Sequence, residues 1–196
     1  MLKEFLNKKP KLDKVKSAVV SATGVITPVG KSPDESYEEL FKDVQATAVY
    51  PDGKTFVDLI PRKRGRELKK EYEVAKKDPS FNLNEFVNRH FYEFTPEGAV
   101  QYTPTAQTTT REHVTNLWPV LARRNRKNQG SLIALPYEYT VPGGRFREQF
   151  YWDSYFIMLG LAADGEWTMV QGMMKNFAHM LRRFGMIPTG NRTYFL

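Results

Sequence analysis

Ionisable and aromatic side chains crowd into one stretch of this sequence, Pro142-Gly143-Gly144-Arg145-Phe146-Arg147-Glu148-Gln149-Phe150-Tyr151-Trp152-Asp153-Ser154-Tyr155. Two glycines free the backbone just before an aromatic run, and Arg145, Glu148 and Asp153 lie beside or inside it. An unpaired charge in apolar surroundings is costly, so each of the three needs a partner. One solution is internal: Arg145 or Arg147 pairs with Asp153 or Glu148 and anchors a helix entrance. The other is a polar ligand. Carboxylate and guanidinium groups each engage two adjacent hydroxyls, while an indole face packs on the C–H face of a pyranose ring. Arg145, Trp152 and Asp153 therefore have the composition of a sugar pocket. Glu148 and Asp153 make a poor acid–base pair with each other, because five helical residues turn them about 140° apart.

Other chemistries find little support. His90, His113 and His179 are far apart, and there is no cysteine, so neither a metal ion nor another cofactor is expected. No G-x-S-x-G elbow or phosphate-binding glycine loop occurs.

The elements around this stretch are mostly helical. Residues 1–30 read as an amino-terminal arm. Ser32, Pro33 and Glu35 form a capping box with proline at the first helical position, opening a helix with Tyr37, Leu40, Phe41 and Val44 on one stripe. Asn82 and Glu85 cap another, with Phe81 placed to staple onto Phe86. Thr109 and Glu112 open a third with Val114, Leu117, Trp118 and Leu121 on one face, and Pro119 predicts a kink or a fresh start near Trp118. Gly53 to Pro61 reads as extended or irregular, and Phe94 to Thr109 as a Pro/Thr-rich loop. Glu148 to Ala163 is apolar on nearly every side, the pattern of a helix buried all round. Asp164-Gly165 ends it. Glu166 to Phe184 follows as an amphipathic helix with Trp167, Val170, Met174, Phe177, Leu181 and Phe184 on its apolar stripe and Gly185 as its stop. A buried helix and a half-exposed antiparallel one predict a layered, all-helical architecture.

Composition sets the outer limits. With 196 residues, 41% hydrophobic and 13% aromatic, the chain can build a core. The charge is 29 − 22 = +7. Arg62-Lys63-Arg64-Gly65-Arg66 and Arg123-Arg124-Asn125-Arg126-Lys127 hold much of the excess, but Glu67, Glu71 and Glu73 interrupt the first and no aromatic interleaves with either. They read as solvated surface, so no nucleic-acid partner is expected. The apolar stretch from Tyr151 to Ala163 is too short for a membrane span and contains Asp153, and Met1-Leu2-Lys3-Glu4-Phe5 lacks the apolar core of a secretion signal. The expected address is the cytoplasm, with the periplasm as the alternative for a processed form. Composition leaves the oligomeric state open.

The spacing Pro142-Gly143-Gly144-Arg145-Phe146-x-Glu148-x-Phe150-x-Trp152-Asp153-x-Tyr155 closely resembles the first signature of the α,α-trehalases, glycoside hydrolases that split trehalose into two glucose molecules. The resemblance extends in family order through Leu40-Phe41-Lys42-Asp43-Val44-Gln45, Asp52-Gly53-Lys54-Thr55-Phe56-Val57-Asp58, Arg111 to Leu121, Asn176-Phe177-Ala178-His179 and Ile187-Pro188-Thr189-Gly190-Asn191-Arg192. It implies an all-α fold, with residues 31–196 the amino-terminal part of an (α/α)6 toroid that has long irregular loops and is not closed in this chain.

It also implies that Arg145, Trp152 and Asp153 contact glucose, with Phe146 and position 150 walling the pocket and position 189 adding a sugar contact. Two positions depart from the family. Phe150 stands where tyrosine is usual, and Thr189 stands where the family has asparagine. A sugar hydroxyl left without its partner at such a site costs ~1 to 3 kcal/mol. Trehalases invert configuration with two carboxyl groups roughly 6.5 to 9.5 Å apart, and in the family both lie beyond the segments matched here. The resemblance thus implies a trehalose-binding portion with no catalytic residue in this chain. The competing reading is a non-catalytic sugar-binding or interaction module.

Overall fold

A computed structural model describes residues 30–95 and 100–196. The expected arm, residues 1–30, lies almost wholly outside the described residues, as do positions 96–99 of the Pro/Thr-rich loop. The elements in chain order are α1 (Pro33–Tyr37), α2 (Glu39–Ala46), α3 (Thr55–Asp58), β1 (Ile60–Pro61), α4 (Gly65–Ala75), α5 (Leu83–His90), β2 (Phe91–Tyr92), α6 (Thr110–Leu121), β3 (Ala122–Arg123), β4 (Tyr139–Thr140), α7 (Tyr151–Ala163) and α8 (Trp167–Phe184). A 3₁₀ turn, Thr193–Phe195, follows them. The strands form two short antiparallel pairs, Ile60 opposite Tyr92 and Ala122 opposite Thr140. The architecture is all-α with long irregular connections, as expected of the amino-terminal portion of a helical toroid.

Local capping signals are realised. Glu35 accepts a bond from the Ser32 backbone N–H at 3.2 Å, and Asn82 accepts one from Glu85 at 3.2 Å. Phe81 staples onto Phe86 with ring centroids 5.9 Å apart. At Thr109 both halves of the capping box form. Gly185 takes the left-handed conformation that closes α8.

Three expectations are corrected and a fourth is narrowed. The single helix from Ser32 is two, because Glu38 adopts φ +48° between α1 and α2. Both pieces pack against α4, whose Gly65 lies so close to the Ser36 carbonyl that a Cβ there would sit 2.8 Å from it. Gly53 to Pro61 is not irregular: Asp52 nucleates α3 by accepting from the Lys54 and Thr55 backbone N–H groups. Of the two alternatives expected at Pro119, a kink or a fresh start, the second does not occur. Helix α6 continues to Leu121, so the proline forfeits a single bond in the last turn.

The third correction concerns α7, which starts at Tyr151 and is not buried all round. Tyr151, Trp152, Tyr155, Phe156 and Leu159 are exposed, while only Ser154 and Leu161 are buried. A helix apolar on every side needs neighbours on every side. Among the described residues α8 and Trp118 cover one side. The stripe of α8 is shifted accordingly. Val170, Met173, Phe177 and Met180 are buried, whereas Trp167, Met174 and Leu181 are exposed.

Two cores result. Tyr37, Leu40, Val44, Phe56, Leu59, Leu68, Tyr72, Phe86, Val87 and Phe91 form the first, from α1 to β2. Leu135, Tyr139, Val141, Leu161 and the buried face of α8 form the second. The candidate site lies where segments from both meet.

Candidate functional site

Gly143 and Gly144 hold φ of +105° and +58°, conformations open to glycine at low cost, and let residues 143–146 double back. Gly143 and Phe146 exchange backbone bonds of 3.3 and 3.0 Å, which puts Arg145 at the tip of a tight turn. Its guanidinium is largely exposed, lies 5.2 Å from the Phe146 ring centroid and 3.8 Å from Asp52 Oδ1. Phe146 in turn meets Phe150 edge-on at 5.5 Å, and Phe150 meets Phe195 at 5.9 Å. Arg145 borders a small cleft of about 60 Å³ shared with Lys54, Asp58, Glu93, Arg147 and Arg192. Phe146 and Phe150 line a separate apolar hollow of about 370 Å³.

The chain after the turn is fixed by buried amides. Asn191 Oδ1 accepts from the Gln149 N–H at 2.8 Å, and the Gln149 side chain bonds the Met173 carbonyl and Asn176 at 3.0 and 2.9 Å. The Thr189 carbonyl accepts from the Tyr151 N–H at 2.8 Å and thereby ties the 187–192 turn to the start of α7. Trp152 and Asp153 follow in the first turn of that helix. Trp152 is 75% exposed. Asp153 is half-buried, with no side-chain hydrogen bond or ion pair among the described residues, and its charge suits the helix amino terminus. Thr189 is exposed beside them.

The five sequence-predicted residues thus occupy two adjoining segments rather than one enclosed cavity. Arg145 and Phe146 are in contact at the turn, and Thr189 abuts the helix turn that carries Trp152 and Asp153. The cleft that Arg145 borders is not lined by Trp152 or Asp153. The two segments present one guanidinium, one uncovered indole face and one carboxylate without a partner among the described residues.

Internal pairing takes a form that sequence reasoning missed. Glu148 is fully buried, but neither Arg145 nor Arg147 is its side-chain partner. Lys54 Nζ donates to Glu148 Oε1 at 2.6 Å and also pairs with Asp58. Arg192 stands 3.7 Å from Glu148 and 3.5 Å from Asp58, and Tyr194 donates to Asp58 at 2.7 Å. Burial, reinforced by the Asp58 carboxylate, pushes the Tyr194 hydroxyl far above its usual range. Arg147 instead reaches Glu93 at 3.4 Å. Glu148 is thus buried and ion-paired within the chain. The signal that could have pointed to Lys54 and Arg192 is charge balance, because a buried carboxylate must find cations somewhere in the chain.

Comparison with known proteins places the chain in a family. Residues 48–196 match the family model described as Trehalase. The chain is 43% identical over 182 residues to the periplasmic trehalase of Shigella flexneri serotype 5b, covering 91% of this chain and 32% of that one. It is 44% identical over 173 residues to the periplasmic trehalase of Escherichia coli O1:K1, covering 87% and 30%. The chain therefore spans about a third of the length of these relatives. Their names give no support to the cytoplasmic address and agree with the periplasmic alternative. On the extent of the family match and the identity across most of its length, the chain belongs to the trehalase family.

Proposed function

We propose that this chain forms the amino-terminal part of a periplasmic-type α,α-trehalase, the glycosidase that hydrolyses trehalose to two glucose molecules with inversion. In this reading residues 31–196 belong to the toroidal catalytic domain and supply part of the glucose pocket: Arg145 and Asp153 hold hydroxyls, Trp152 stacks on the ring, and Phe146 and Phe150 wall it. Thr189 replaces the amide of its relatives. The observation that carries this reading is the first turn of α7, where an uncovered indole adjoins a carboxylate that has no partner among the described residues. An open indole beside an unpaired carboxylate matches one face of a hexose.

The inverting reaction needs an acid and a base across the glycosidic bond. Glu148 is locked in ion pairs, and Asp153 alone cannot fill both roles. In this reading the two catalytic carboxyl groups lie in the family's later segments, as the resemblance implies. Incubation of the purified chain with trehalose should release no glucose above the buffer control. Release that persists after removal of any contaminating full-length enzyme would contradict that assignment. A non-catalytic sugar-binding module is the second reading, favoured by the same open indole.

A further inference from the structure

Asp52 sits where two parts of the chain meet, and its carboxylate is held unusually well for a half-exposed group. Oδ1 accepts from the Lys54 N–H at 2.7 Å and the Thr55 N–H at 2.8 Å, while Oδ2 takes the Thr55 hydroxyl at 2.8 Å. These bonds, with a smaller share from Arg145, keep its pKa below the ordinary carboxylate value. Two residues on, Lys54 clamps the same segment to buried Glu148 at 2.6 Å. The segment 52–54 is thus joined to the turn 145–148 at both ends. What Asp52 presents to Arg145 is a fixed negative charge 3.8 Å from Nη1, an ion-pair distance rather than a hydrogen bond.

An exposed pair of this geometry adds little to folding stability. Its effect lies elsewhere. A free arginine explores many rotamers, and a binding group that is already oriented loses less freedom on meeting its ligand. We propose that Asp52 is a positioning residue for Arg145: it holds the guanidinium at the tip of the 143–146 turn in the orientation that takes up a hexose. The functional half of this proposal rests on the reading of Arg145 as a glucose contact.

Asp52→Asn is the informative variant, because the amide retains Oδ1 for the two backbone N–H groups and offers Nδ2 to the Thr55 hydroxyl. Only the charge is lost. Two readouts apply to the 196-residue chain. The first is the order of the Arg145 Nε–H group by ¹⁵N relaxation, compared in the parent, D52N and Glu71→Gln. The last removes an equal charge from the remote pair with Lys63. The second is trehalose titration in a double-mutant cycle with Arg145→Gln. Expected are greater Arg145 mobility in D52N alone, an unchanged unfolding midpoint, and affinity about five- to tenfold lower, as for loss of one oriented charged contact. D52N should cost nothing further once Arg145 is gone. Unchanged Arg145 order, or an equal loss of affinity with and without Arg145, would overturn the proposal. Loss of order in D52N by a parent chain that takes up no trehalose would uphold Asp52 as the positioner of Arg145 and refute the sugar-site reading instead.

Discussion

Thr189 and Phe150 are where this chain departs from the trehalase signatures, and both stand at the edge of the candidate site. The Thr189 backbone keeps its structural task, since its carbonyl receives the Tyr151 N–H whatever the side chain. Its side chain is exposed, so Thr189→Asn should leave stability within about 0.5 kcal/mol. The amide adds a donor and an acceptor beside Trp152 and Asp153. A recovered hydrogen bond contributes ~1 kcal/mol, so trehalose affinity should rise about fivefold by titration; equal affinity would remove position 189 from the site. Phe150 is different. Its ring is wedged between Phe146 and Phe195 with the Lys54 ammonium 6.0 Å from its centroid, so it serves packing as well as any ligand.

At the scale of elements, the site is held by contacts between pieces distant in sequence. Lys54 precedes α3 and Glu148 precedes α7, yet their 2.6 Å bond fastens the two. With Arg192 nearby, two cations face two carboxylates in a setting where Glu148 has no solvent exposure. Removing one partner from a buried pair leaves an uncompensated charge, which costs about 3–5 kcal/mol. Lys54→Met should lower unfolding stability by that amount in denaturant titration, and a loss below about 1 kcal/mol would show that Arg192 alone satisfies the carboxylates. Contacts of this kind explain what the sequence reveals and what it hides. The caps at Asn82 and Thr109 are legible because donor and acceptor lie three residues apart, and the turn at Gly143-Gly144 because glycine marks positive φ. The break at Glu38 is hidden, since it comes from α1 and α2 both docking on α4. The partner of Glu148 is hidden too, lying 94 residues away.

At the scale of the molecule, the exposed face of α7 is the feature that local reasoning misjudged. An apolar run identifies a helix that wants cover, but not which chain segments supply it. Among the described residues α8 covers one side, and the aromatic side carrying Trp152, Tyr155 and Phe156 faces outward. Relatives three times as long have the material to cover such a face, which fits the proposed placement of this chain within a larger toroid. Among the described residues the cleft that Arg145 borders is not lined by Trp152 or Asp153, which fits a proposed site of which this chain supplies two segments of one wall.

The account turns on whether that wall grips a hexose. Calorimetric titration of the 196-residue chain with trehalose, repeated with Trp152→Ala, tests it most directly. Saturable binding by the parent chain that is lost in Trp152→Ala, while both unfold at the same denaturant concentration, is the predicted result. No binding by the parent, or equal binding by the two, would contradict it.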